Sequence, residues 1–267
     1  MTKRVALLLL MLFPSLAVAG YARHKPTVSE VRELLPSVCS SGVNTGACTP
    51  CPAFTRATAG KSLVLESVVY GQFTHPKQTD ALLEFSGCEA PYFNYGGSVL
   101  LRWQDGRRWT FSRYLMGYRA GNCLKYPARD GRDLLLCKEV VTGSVSLVLN
   151  DFSREDRFVQ ALFYAEDSRS FCSPFGSVQK LLEWKQVGAT AGGFPGLRAT
   201  VVSAAYQRLP PREDSSCTGT LALTKSRIYT LEYSFDGHRF TPTATTQKLL
   251  EPLLKDNPTM FYEGGNG

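Results

Sequence analysis

Three short stretches of this chain carry residue types at spacings that chemistry uses. Cys48-Thr-Pro-Cys51 has the C-x-x-C spacing. In a redox couple, a helix N-terminus lowers the pKa of the first thiol of such a pair. Here Pro52 follows directly and Cys39 lies just upstream, in a loop-like setting. The spacing therefore reads as structural disulfides. It lacks the second cysteine or histidine pair that zinc needs. Ala59-Gly-Lys-Ser62 ends like a phosphate loop, but the required first glycine would fall at Thr55, which removes that reading. The three histidines, His24, His75 and His238, stand far apart. No Gly-x-Ser-x-Gly elbow accompanies them, and the carboxylates are scattered beside turns. No catalytic constellation is expected, and no cofactor.

The densest chemistry lies between Arg102 and Arg132. Arg102, Arg107, Arg108, Arg113, Arg119, Lys125, Arg129 and Arg132 are set against Asp105 and Asp130. Trp103, Trp109, Phe111, Tyr114, Tyr118 and Tyr126 are interleaved with them. Guanidinium groups beside aromatic rings recognise anions and glycans. The residues nominated for anion or partner binding are Arg102, Trp103, Arg107, Arg108, Trp109 and Arg113. The competing reading is plain strand alternation, with aromatics facing a core and arginines facing water.

The elements that must position these residues begin after an expected leader. Lys3 and Arg4 precede the apolar run Val5–Phe13, and Ala17-Val-Ala19 is a small-x-small cleavage site. A signal peptide over 1–19 leaves 248 residues (267 minus 19) and lowers the formal charge from +7 to +5. No later run is long enough for a helical membrane span. The mild basicity suits a protein partner or an anionic polymer; nucleic acid is not expected. All eight cysteines, Cys39, Cys48, Cys51, Cys88, Cys123, Cys137, Cys172 and Cys217, fall after the leader. An even count behind a leader reads as disulfides formed in the periplasm or outside the cell.

Residues 20–61 form a Cys-containing lead-in. Thr27-Val-Ser-Glu30 is a capping box that should start a short helix over Val28–Leu35, stopped by Pro36. From Ser62 the period changes to two, and turn residues recur at strand spacing. Ser98–Gln104, Asp105-Gly106 and Arg107–Phe111 make a hairpin signal, because Asp-Gly accepts the positive φ of a tight turn. Ile228–Phe235, Asp236-Gly237 and His238–Thr241 repeat it, and Ser146–Phe152 with Arg157–Phe163 gives a longer-turned copy. Strands opening at Asp80 and Asp133 lead the first two hairpins; Leu197–Val202 or Thr220–Leu223 leads the third. The expected fold is all-β, with about three propeller-like antiparallel blades and a short N-terminal helix. The repeated domain covers 62–252 and a tail follows over 253–267.

These repeats resemble the FG-GAP (integrin-α-like, VCBS-type) repeat of secreted β-propellers. Gly71-Gln-Phe73, Asp80-Ala-Leu-Leu83 and Gly96-Gly-Ser-Val-Leu100 match its order, and Asp130-Gly-Arg-Asp-Leu134 keeps part of a second copy. The resemblance implies a calcium loop between Gly71 and Asp80. Calcium wants six to eight oxygens, several from carboxylates. Thr74–Thr79 offers no carboxylate and adds Lys77, so no required metal is expected. Asp80 and Asp133 are expected instead to cap their own turns by accepting backbone amides. In a blade of four up-and-down strands, Cys88–Cys123 and Cys137–Cys172 are the simplest pairs, with Cys123–Cys137 competing. One of Cys39, Cys48 or Cys51 would then reach Cys217 while the other two pair locally.

The functional reading is an exported, disulfide-stabilised binding or scaffold module without catalysis. The alternatives are a hydrolase of envelope polymers and a secreted enzyme inhibitor. Three blades leave open edges, which makes a homo-oligomer a further expectation.

Overall fold

The computed structural model describes residues 23–41, 43–56, 61–90, 96–119, 122–141, 144–166, 175–189, 192–209 and 220–256. The leader, Cys172 and Cys217 lie outside the described residues. The chain is all-β, as its period-two patterning requires. It forms three antiparallel sheets, each containing four strands that pair in chain order.

The first sheet runs β3 (Leu63–Gly71), β4 (Asp80–Ser86), β5 (Gly96–Gln104) and β6 (Arg108–Met116), with the short β1 (Arg23–His24) and β2 (Ala47–Cys48) added along β3. The second runs β7 (Cys123–Pro127), β8 (Asp133–Val141), β9 (Ser144–Asn150) and β10 (Phe158–Glu166). The third runs β11 (Phe175–Ala189), β12 (Pro195–Leu209), β13 (Thr220–Phe235) and β14 (Phe240–Pro242). Asp105-Gly106 and Asp236-Gly237 both sit in the link from third to fourth strand, as the repeat predicts. Asp105 and Gly106 both take positive φ, 53° and 62°. The apolar stretch at Thr220 is no separate leading strand: it is the start of β13, and β12 leads the hairpin.

The sheets pack face to face, which explains why their strands are apolar on both sides. In β4, Ala81, Leu83 and Phe85 enter one core with the lead-in, while Leu82 enters a second core with Leu135 and Phe152 of the next sheet. In β8, Leu135 and Cys137 face the first sheet, and Leu134 and Leu136 face Leu197, Val201 and Leu231 of the third. Each fully buried leucine contributes about 2 kcal/mol. This stacking makes a continuous apolar run out of a strand that ordinary alternation would leave half polar.

The lead-in covers the outer face of the first sheet. Thr27 caps α1 (Val28–Leu34) through the expected box: Glu30 N donates to Thr27 Oγ1 at 3.2 Å, and Thr27 N donates to Glu30 Oε2 at 2.8 Å. A 3₁₀ turn over Leu35–Ser37 continues it and buries Leu35. Three disulfides are formed among the described residues: Cys39–Cys48, Cys51–Cys88 and Cys123–Cys137. Cys39–Cys48 is one of the three local lead-in pairs the sequence left open. Cys51 reaches Cys88 of the adjacent first sheet, not Cys217, because the lead-in lies on that sheet. Cys123 and Cys137 are directly opposed on β7 and β8, so they bond to each other, and neither the Cys88–Cys123 nor the Cys137–Cys172 pairing forms.

One element was not expected. A thirteen-residue helix, α2 (Ala244–Asp256), follows β14. Thr246 N donates to Thr243 Oγ1 at 3.2 Å at its start, and Leu250 and Leu253 enter the core between the second and third sheets. Pro252 lies inside this helix, where a proline ordinarily marks a stop.

Candidate functional site

In an up-and-down sheet, the link between strands one and two and the link between strands three and four lie at the same end. Six such segments occur here, two for each sheet. Hydrogen bonds join several of them across sheets. Gln72 N donates to Asp133 Oδ2 at 2.9 Å, and Asp133 N returns a bond to Gln72 O at 2.9 Å. Arg129 N donates to Gly237 O at 3.1 Å, and its guanidinium reaches Asp236 Oδ2 at 2.9 Å. Gly237 has φ 88°, and a Cβ there would collide with Phe194 and Arg129; glycine lets the two sheets close at this point.

The nominated basic and aromatic residues occupy the β5–β6 hairpin of this end. Strand alternation separates them. Trp103 and Trp109 are directly opposed, with ring centroids 5.2 Å apart, and face the lead-in. Trp109 Nε1 donates to Glu33 Oε1 at 2.8 Å. Arg102 and Arg113 project from the other face, toward the second sheet, while Arg107 and Arg108 stand exposed at the tip. In this hairpin the tryptophans and the arginines Arg102 and Arg113 therefore occupy opposite faces.

At the seam between the first and second sheets, three guanidinium groups come together. Arg113 is held by main-chain carbonyls of the β9–β10 link: Nη1 donates to Arg154 O at 2.6 Å and Nη2 to Phe152 O at 2.5 Å. Burial, followed by the positive charges of Arg102 and Arg157, lowers its pKa. Arg157 lies 4.5 Å over the Tyr118 ring and 3.5 Å from Glu139. Arg102 is paired in register with Asp80 across β4–β5 and makes no hydrogen bond from its side chain among the described residues. The Nε atoms of Arg102, Arg113 and Arg157 are all buried without a partner.

Asp80 is the buried carboxylate of the seam. It accepts from Thr74 N at 2.7 Å and from Thr74 Oγ1 at 3.0 Å, so it caps its own loop as expected. Burial raises its pKa; Thr74, the Phe73 amide and Arg102 pull against that rise. Asp133 departs from the expectation. It caps the Gln72 amide of the neighbouring sheet, while Asp130 serves its own turn by accepting from Arg132 N at 3.1 Å.

The remaining basic residues of the stretch are structural. Arg119 pairs with buried Glu84 at 2.5 Å. Lys125 donates to Tyr70 O at 3.3 Å. Arg132 bridges Asp130 and Asp151. Burial pushes the Asp151 carboxyl up, but Arg132 and Ser153 hold it below its ordinary value. Sequence reading gave no role to Asp151 or Arg157 and read Asp236 only as a turn residue, because each sits beside a turn in a way that also suits a solvated polar residue. Cys48 and Cys51 belong to two different disulfides and form no redox couple. Among the described residues no group of three or more His, Cys, Asp or Glu is placed to hold a metal ion. No helix of the described residues is long and apolar enough to cross a membrane.

No protein-family model, no curated protein and no solved structure matches the chain.

Proposed function

We propose that this chain is an exported, non-catalytic binding module, built of three blade-like β units, that takes an anionic group of a polymer or protein at the Arg102 end of the first seam. The observation that carries this reading is the Arg102 guanidinium. It is half-buried, donates no side-chain hydrogen bond among the described residues, and lies close enough to feel both the positive charge of Arg113 and the Asp80 carboxylate. A planar guanidinium offers a fork of donors that matches a carboxylate, sulfate or phosphate. Exposed Arg107 and Arg108 at the adjacent tip supply long-range attraction. The three disulfides among the described residues fit an oxidising compartment.

Retention on a sulfated-polysaccharide matrix tests the reading. The protein should bind at low salt and elute as salt rises, because exposed charges are screened. Arg102→Gln should cut retention most, and Arg107→Ser with Arg108→Ser should reduce it further. Equal retention of all three proteins would remove the assignment.

A further inference from the structure

Among the described residues, the third sheet has a long strand, β13, whose second side is only partly paired. β13 pairs with β12 along nearly its whole length, from Thr220 opposite Leu209 to Tyr233 opposite Leu197. On its other side, β14 covers only Tyr233–Phe235. Just before that point, Glu232 N donates to Thr246 Oγ1 at 2.6 Å and Thr243 N donates to Glu232 O at 3.0 Å. Among the described residues, nothing pairs with this side of β13 before Glu232.

Backbone alternation identifies the groups that face the open side. Both main-chain groups of Glu232 point there, as does Asp236 N, which donates to Arg239 O. In a regular strand the same direction falls to every second residue. It therefore falls to Thr230, Ile228 and Ser226, all exposed. The series stops at Thr224, where the register against β12 shifts between Ala205 and Tyr206 and the Thr224 hydroxyl turns to Ala205 O at 3.0 Å. A bulge bends an edge away from further pairing. The open segment thus holds three residues, Ser226, Ile228 and Thr230, whose edge groups have no partner among the described residues.

The geometry points to a second copy of this chain as the occupant, with β13 pairing antiparallel to β13 about a two-fold axis at Ile228. That register sets Ile228 opposite Ile228, Ser226 opposite Thr230, and Arg227 opposite Tyr229. All three free residues are used, giving six hydrogen bonds, two for each of the pairs 228–228, 226–230 and 230–226. Shifting the axis to Arg227 opposes two like charges. An axis at Ser226 sets Lys225 against Arg227. An axis at Thr230 calls on Glu232, whose groups are already engaged. An axis at Tyr229 keeps only the two 228–230 pairs, four hydrogen bonds, because Ser226 would face the engaged Glu232. Charge and hydrogen-bond supply therefore favour the axis at Ile228. Ile228, 68% exposed and the most exposed large apolar side chain of the sheet among the described residues, becomes an apolar pair at the axis. The product is a continuous antiparallel sheet across two protomers, which removes an edge that would otherwise invite indiscriminate pairing. This inference is independent of the anion site.

Light scattering on the full mature chain over a concentration series, with two variants, tests it. The parent should pass from monomer to dimer as concentration rises. Ile228→Lys places two ammonium groups on the axis and should weaken the dimer at least tenfold, while Leu182→Lys, on the opposite edge strand, should leave it unchanged. Ile228→Cys should form an intermolecular disulfide joining residue 228 to residue 228, because opposed Cα atoms about 5.5 Å apart lie within disulfide reach. A parent that stays monomeric into the millimolar range would overturn the inference. So would a dimer that resists Ile228→Lys, or one that Leu182→Lys abolishes. A dimer whose Ile228→Cys variant crosslinks only through other cysteines would exclude the β13 register.

Discussion

The first and third sheets end the stack in opposite ways. The outer face of the first sheet is closed by the lead-in, whose Leu34, Leu35 and Val38 join Leu63, Leu83 and Leu101 in one core, and Cys51–Cys88 ties the two together covalently. The third sheet exposes Leu182, Leu223 and Ile228, and its strands of 15 and 16 residues run well past their four-strand neighbourhood. One end is finished within the chain, while the other presents a surface. The lesson is that similar strand meanders acquire different roles from what covers their last face.

The largest expected effect breaks the closed end. Replacing Cys51 and Cys88 together by alanine releases a link spanning 37 residues and should cost about 4 kcal/mol in urea unfolding. Replacing the 9-residue link Cys39–Cys48 should cost about 3 kcal/mol, a smaller loss because it closes a shorter loop. Equal losses would mean that the lead-in is not fastened at Cys51.

Side-chain truncation sharpens the same contrast. Leu35 is fully buried and Leu35→Ala should cost about 2–5 kcal/mol. Ile228→Ala, measured on dilute monomer, should stay within about 0.5 kcal/mol of the parent. A large loss at Ile228 would show that the third sheet is covered after all.

The smallest effect is one of pH. Burial pushes the Glu30 carboxyl up, but the Thr27 amide, His24, the Thr27 hydroxyl and Tyr70 together hold it at about 2. A depressed folded-state pKa stabilises above the unfolded value of about 4.3 and loses that contribution as pH falls through about 2. Protection factors of lead-in amides, taken against the intrinsic exchange rate at each pH, should therefore fall between pH 4 and 2, and Glu30→Gln should flatten that dependence. Asp80 works in the other direction: its raised pKa favours the protonated form, so its contribution diminishes as pH rises through the folded-state value.

Local signals in the sequence were read reliably because their physics is local. The Thr27–Glu30 box, the Asp105-Gly106 turn and the three leading strands each depend on neighbours within a few residues. The covering helix α2 escaped notice because Pro252 interrupts its pattern. The fate of the arginines was not legible for a different reason. Arg102 and Arg132 look alike in sequence, yet Arg132 meets Asp151 of the β9–β10 link and Arg102 donates no side-chain hydrogen bond among the described residues. Only the stacking of the sheets decides between them. The same holds for Cys51, whose choice of Cys88 follows from where the lead-in lies.

The bond between Asp133 and the Gln72 amide has a consequence for the order of assembly. These partners are 61 residues apart, and the carboxylate belongs to a sheet later in the chain. A polypeptide emerging N-terminus first, from a ribosome or a translocation pore, delivers the Gln72 loop before its acceptor exists. The first sheet can form its ladders at that stage, but the loop that closes its end must wait for β8 to emerge. In order of emergence, the first unit therefore receives this finishing contact only from the second.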